Sequence, residues 1–275
     1  MNINDITNLS VFLATKKGYS LEDEKEFRIV YDTLMNYSMP TDNYLNNLKS
    51  LVISKSNISS ESVLGSYDAK RNVINKPSLS SDFVHELFHM ASNINDGSPN
   101  VGVYLKKGSH GFGKSLNEGI TDFFTGLTDN KYEYRYPFES LIASSFCELF
   151  GKDIFKYHFD GKFKEFYNQF GEYSDLVIQV VSNLDNYFKE LDNLSLGKGI
   201  NISNLYDSFI DTSISFLELV NNIDENKGIV YFNRIKDMFN LENNNVKSIK
   251  ALLGSEYGLD SMFSEIKNIS FGKSF

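Results

Sequence analysis

At 275 residues the chain is long enough to bury a sizeable core, as one large domain or two lobes sharing a cleft, and a composition 41% hydrophobic and 23% charged excludes a disordered protein. Twenty-seven basic against 36 acidic residues leave a net charge of −9 with no dense Lys/Arg cluster, so neither nucleic acid nor an anionic membrane is expected as a partner. The single cysteine, Cys147, excludes an intrachain disulfide and a cysteine-rich zinc site, and within the apolar stretch 141–150 it reads as a small buried hydrophobe.

Near the N-terminus the only apolar run is Val11-Phe12-Leu13-Ala14, too short for a signal-peptide core. No other stretch reaches the roughly 18 apolar residues of a membrane span. A soluble, monomeric protein is expected, cytoplasmic unless a route without such a mark exports it. Helical spacing predicts helices over 21–37 (Phe27, Val30, Leu34) and 41–51 (Tyr44, Leu45, Leu48, Leu51), separated by Pro40. A Ser-rich connection at 54–60 follows. Strands over 62–67 and 72–75 flank Asp68-Ala69-Lys70-Arg71 as a hairpin, and Pro77 ends the second.

A helix is predicted over 81–93, capped by Ser80 or Ser81 with Asp82 in its first turn and stopped near Gly97. Then come a short strand over 101–105, a glycine-rich loop over 108–113 and a helix over 116–127. Beyond Tyr136 the periodicity is helical throughout, over 140–150, 163–170, 174–191, 202–223 and 229–239. The fold class is therefore α+β, mainly helical: an α+β lobe over 1–130 and a helical lobe over 131–275 packing across an active-site cleft. Twenty-three Phe and 16 Tyr with no Trp describe core packing in the helical lobe, and the Asn and Ser richness reads as background.

The chemistry is concentrated in Val84-His85-Glu86-Leu87-Phe88-His89. One helical turn separates His85 from His89, so both imidazoles reach one metal from one face, a spacing suited to zinc. Glu86 sits beside them, where a carboxylate can take a proton from metal-activated water. Val84, Leu87, Phe88 and Ala91 form the apolar stripe that buries the other side. A catalytic zinc needs a third protein ligand, and Ser92 and Asn95 stand where an extended metzincin pattern needs Gly and His. Downstream, Leu116-Asn117-Glu118-Gly119-Ile120-Thr121-Asp122 begins a second amphipathic helix with Glu118 and Asp122 on one face. Glu118 is placed to be the third ligand and Asp122 to accept the second ring N–H of a ligand histidine. Gly119 lets the two metal helices approach closely. The competing reading makes Ser115 and Glu118 a capping box.

The pair His85-Glu86-Leu87-Phe88-His89 and Asn117-Glu118-Gly119-Ile120-Thr121-Asp122, 29 residues from His89 to Glu118, resembles the gluzincin metallopeptidases, the thermolysin-like clan, over residues 62–150. The resemblance implies a zincin-like catalytic core, one Zn2+ per chain on His85, His89 and Glu118, and Glu86 as general base. It further implies that Asp122 orients His85, and that a peptide or protein substrate adds to an exposed strand edge, for which 72–75 is the candidate. An oxyanion donor is implied too, at a position that varies between families. Tyr132, Tyr134, Tyr136 and the loop residue His110 are the candidates. Tyr136 is preferred because Pro137 begins a helix there and holds the phenol rigidly. His158, between Tyr157 and Phe159, reads as structural. The expected activity is peptide-bond hydrolysis by zinc-activated water. The alternatives are a catalytically silent zinc-binding regulatory or interaction protein, and a helical module with an accidental motif.

Overall fold

The computed structural model describes residues 19–55, 65–76, 81–107, 110–195, 198–256 and 258–272. The Ser20 hydroxyl accepts from the Asp23 N–H while the Asp23 carboxylate accepts from the Ser20 N–H, a reciprocal cap that starts helix α1 (Leu21–Asn36). Phe27, Val30 and Leu34 of α1 and Tyr44 and Leu48 of α2 (Asp42–Ser50) are fully buried, on the face their spacing predicts.

Strands β1 (Val52–Lys55), β2 (Ser66–Asp68) and β3 (Val73–Lys76) form one sheet in the order β1-β3-β2. The predicted hairpin is present, with Tyr67 opposite Ile74 in the antiparallel β2–β3 pair. Its second strand, expected to be the exposed edge, is the centre of the sheet instead. Val52-Ile53-Ser54-Lys55 pairs with it in parallel, Ile53 opposite Ile74, so β1 and β2 are the edges. A parallel partner arrives by a crossover and leaves no turn signal beside its mate. The rest of the Ser-rich connection, the expected strand start at 62–64, Pro77 and Ser80 lie outside the described residues. Lys76, at the end of β3, joins the sheet to α1 through Asp23 (2.6 Å) and Glu26 (3.1 Å).

Every residue from Phe83 to Ala91 of helix α3 (Ser81–Ala91) is buried. Phe83 and Met90 are as inaccessible as Leu87 and Phe88, because α1 and α2 pack against it together with β2 and β3. Its C-terminal carbonyls accept from the Ser92 and Asn93 N–H groups, and side chains from elsewhere tie down the turn that follows. Asn47 Nδ2 donates to the Met90 and Asn93 carbonyls (2.8 and 2.6 Å), and Asn93 Nδ2 donates to Tyr67 Oη and the Ala69 carbonyl (2.6 and 3.1 Å). Tyr67 Oη donates to Asn72 Oδ1, whose amide nitrogen donates to the Asn47 carbonyl and Ser50 Oγ. Three asparagines read as background thus tie α3 to α2 and the hairpin. Where a strand over 101–105 was expected, residues Val101 and Tyr104 close a tight turn, with Gly102 at φ 55°. The chain is extended only from β4 (Leu105–Lys107), which pairs with β5 (His110–Phe112).

Further helices follow: α4 (Lys114–Gly126), α5 (Pro137–Phe150), α6 (Phe155–Phe159), α7 (Phe163–Asn168), α8 (Ser174–Ser195), α9 (Ile202–Ile223), α10 (Gly228–Met238), α11 (Asn244–Glu256) and α12 (Leu259–Phe271). The chain divides into two compact units. One comprises Met1–Lys106, Phe124–Tyr132 and Lys152–Phe166, the other Lys107–Phe123, Glu133–Gly151 and Tyr167–Phe275. In the first, Phe124 packs on Phe88, Phe155 and Phe159 with ring centroids 5.8, 5.7 and 4.9 Å apart. In the second, α8 and α9 form the principal helix pair. Phe209 of α9 packs on Phe138 (4.6 Å) and Phe239 (5.5 Å). The aromatic content is core packing of this kind. Among the described residues no helix is long and apolar enough to cross a membrane.

Candidate metal centre

His85 and His89 lie one turn apart on α3, 1% and 8% exposed, with their Nε2 atoms 3.2 Å apart and ring planes at 79°. Two nitrogens so close share either one proton or one cation. With Zn–N near 2.05 Å, tetrahedral coordination places two ligand nitrogens about 3.3 Å apart. The imidazole pair therefore fits zinc without rearrangement. The Glu118 carboxylate completes the set: one ligand atom from each of the three residues lies within 4.8 Å of the others. Two borderline nitrogens and a hard oxygen are the donor set of a three-ligand zinc site with one position left open.

Glu118 arrives on α4. That helix begins at Lys114, two residues earlier than predicted, so Ser115 is inside its first turn. The Ser115 hydroxyl and N–H both donate to Asp185 Oδ1 on α8, at 2.6 and 2.9 Å, and the Gly113 N–H donates to Asp185 Oδ2 at 2.7 Å. The capping box therefore does not form, because a distant carboxylate takes the Ser115 donors. Gly119 has a reason other than contact with the other metal helix. A Cβ there would stand 2.4 Å from the Glu139 carbonyl oxygen and 3.0 Å from Glu139 Cβ, so it is α5 that approaches.

Asp122, fully buried, holds the start of α5. Its carboxylate accepts from the Arg135 N–H (3.3 Å), the Tyr136 N–H (3.0 Å) and Ser140 Oγ (2.8 Å). Tyr136 is the N-cap residue of α5 with Pro137 in the first turn, as predicted, and its half-buried ring packs 5.5 Å from Phe188. Tyr134 is half-buried, and its carbonyl accepts from Asn243 and Asn245. Tyr132 is also half-buried. His110 begins β5, and its side chain lies outside the described residues. Glu86 is 4% exposed on α3, next to His85.

Two buried titratable groups carried no sequence signal. Glu139 is fully buried with neither carboxyl oxygen hydrogen-bonded, and its pKa is pushed up to about 8 by burial, assisted by the charges of Asp122 and Glu118. Tyr187, also fully buried, has no partner for its hydroxyl, and burial with the Glu139 charge raises its pKa well above the usual value. His158 is as structural as expected: fully buried, neither ring nitrogen hydrogen-bonded, its pKa lowered to about 3 by burial and then by His89. Beside the first turn of α5 lies a mostly apolar pocket of ≈ 320 Å³ walled by Phe123, Tyr134, Pro137, Leu141 and Met238 with Arg234 and Asp237, and none of His85, His89 and Glu118 lines it.

The chain matches no protein-family model, no curated protein and no solved structure. What remains is the triad itself, buried His85 and His89 with half-buried Glu118, capable of chelating one metal ion.

Proposed function

We propose that the chain is a zinc-dependent metallopeptidase of the gluzincin type, acting on a peptide or protein substrate. The observation that supports this reading is the convergence of His85, His89 and Glu118 from two helices, with the nitrogens already at zinc-ligand spacing. Zinc held by His85, His89 and Glu118 would supply Lewis acidity for activating a water near neutral pH and polarising a carbonyl. Glu86 takes the proton from the attacking water and returns it to the leaving amine. Asp122 supports this arrangement by holding the start of α5, where Tyr136 is placed. Tyr136 donates to the oxyanion, since a phenol with a pKa near 10 keeps its proton at neutral pH.

The test is zinc titration of protein purified in metal-free buffer, followed by digestion of a peptide library read by mass spectrometry. Wild type is expected to take one zinc and to cleave. Glu86→Gln should retain zinc and lose hydrolysis by more than about 10²–10⁴-fold, because it keeps the side-chain size and removes the base. Tyr136→Phe should lower kcat by about 10²–10³ with KM and zinc content unchanged. A wild type that binds zinc and cleaves nothing is a zinc-binding regulatory protein. One that takes no zinc has an accidental motif.

A further inference from the structure

Helix α8 presents Asp185, Phe188 and Asp192 at spacings of three and four residues, hence along one stripe. That stripe meets the first turn of α4 at every residue. Asp185 receives the Gly113 N–H at 2.7 Å, the Ser115 N–H at 2.9 Å and the Ser115 hydroxyl at 2.6 Å. Lys114 Nζ lies over the Phe188 ring, 4.8 Å from its centroid, and reaches Asp192 at 3.4 Å. The same Phe188 ring also packs against Tyr136, 5.5 Å away. Gly113 enters the turn at φ 80°, a conformation glycine adopts without strain.

We propose that Asp185 is a positioning residue for the metal centre: by capping α4 it sets the place from which Glu118 reaches the metal. The inference rests on the reading of Glu118 as a ligand. A carboxylate at a helix N-terminus is favoured by the helix dipole and by charge-assisted hydrogen bonds. Here one carboxylate takes three donors from two residues on either side of Lys114, so it defines both the height and the rotation of the turn. Glu118 is three residues beyond Ser115 and on the same face, so a displacement of Ser115 passes to it directly. Burial works against the Asp185 charge, raising its pKa, while the Ser115 and Gly113 donors oppose that rise. An ordinary surface cap would carry no such burden.

The experiment compares full-length wild type with Asp185→Ala, Asp185→Asn and Leu253→Ala. Leu253 is a fully buried residue of α11, a helix that packs on α9 and α12, and its truncation lowers stability away from α4's cap. The readouts are zinc affinity by competition with a chromogenic chelator, the visible spectrum of the Co2+-loaded protein, and melting temperature. Asp185→Ala is expected to weaken zinc about 10–100-fold, the range for residues that orient ligands, and to alter the cobalt bands. Asp185→Asn, which keeps one acceptor oxygen, should fall between. Leu253→Ala should melt earlier with affinity and spectrum unchanged. Ser115→Ala, removing one of the three bonds, takes the place of Asp185→Ala if that variant does not fold. Zinc affinity within twofold of wild type and an unchanged cobalt spectrum in Asp185→Ala overturn the positioning role, as does an equal loss in Leu253→Ala. A wild type that binds neither metal overturns the metal reading, and with it this inference.

Discussion

Glu139 lies against the ligand helix, its main chain beside Gly119 and its carboxyl buried without a hydrogen bond. Its first-turn position in α5 resembles an ordinary acid favouring a helix dipole. In the fold the acid is surrounded by apolar packing and by two other acids, so the neutral form is favoured. The native group holds its proton up to about pH 8, whereas the unfolded one releases it near 4.5. Between those values folding retains a proton that unfolding releases, so the Glu139 contribution to stability is complete below the lower value. It is lost as pH rises through the upper one, at a slope of at most about 1.4 kcal/mol per pH unit. Urea unfolding of the metal-free protein from pH 5 to 8 is expected to show a steeper decline for wild type than for Glu139→Gln, which has no proton to lose. Parallel profiles would show that Glu139 ionises normally. The same residue shows where local reading stops. An acid in a first turn has one meaning by spacing and another by burial, and burial is a property of the fold.

At the scale of elements, α3 is the helix on which the histidine pair depends, and its C-terminus is closed by Asn47 from α2. Asn47→Ala removes the donor to the Asn93 carbonyl in a region water does not reach, while the Met90 carbonyl keeps the Asn93 N–H. One stranded group costs about 1–3 kcal/mol, so a loss of that size is expected in denaturant unfolding. A change under about 0.5 kcal/mol would mean that the network relaxes around the deletion. Most of the helices were legible, since α1, α2, α9 and α10 follow their apolar periodicity to within a few residues. The sheet was less so. The pattern of β3 does not distinguish an edge from a centre, because Ile74 is buried in either case; only the arrival of β1 decides it. Likewise the asparagines of the α3 network carry no periodic signal, since their amide nitrogens reach partners 22 to 46 residues away.

For the whole molecule, the candidate ligands come from α3 and α4, so the unfolded chain has no preformed site and metal binding adds to folding. Zinc at 100 times its dissociation constant should contribute about 2.7 kcal/mol. In a chain of this size that corresponds to a rise of roughly 5–10 °C in melting temperature. Differential scanning calorimetry with zinc and with EDTA measures the shift, and His89→Ala should abolish it. Equal melting temperatures in the two buffers for wild type would speak against a resident metal.

The sequence alone determined what depends on helical geometry: that His85 and His89 share a face, that Glu118 and Asp122 share another, and that Pro137 begins a helix behind Tyr136. Those relations hold because the rise and turn of a helix act over three or four residues, whatever surrounds it. Tertiary structure decided which of the possible partners each group meets. Ser115 is drawn to Asp185, 70 residues away, and so forms no capping box with Glu118. Asp122 receives the start of α5, Gly119 admits Glu139, and β3 becomes a central strand. At Ser115 the competition is between a local partner and one far along the chain, and the distant one prevails in a place where burial removes water as the alternative hydrogen-bonding partner.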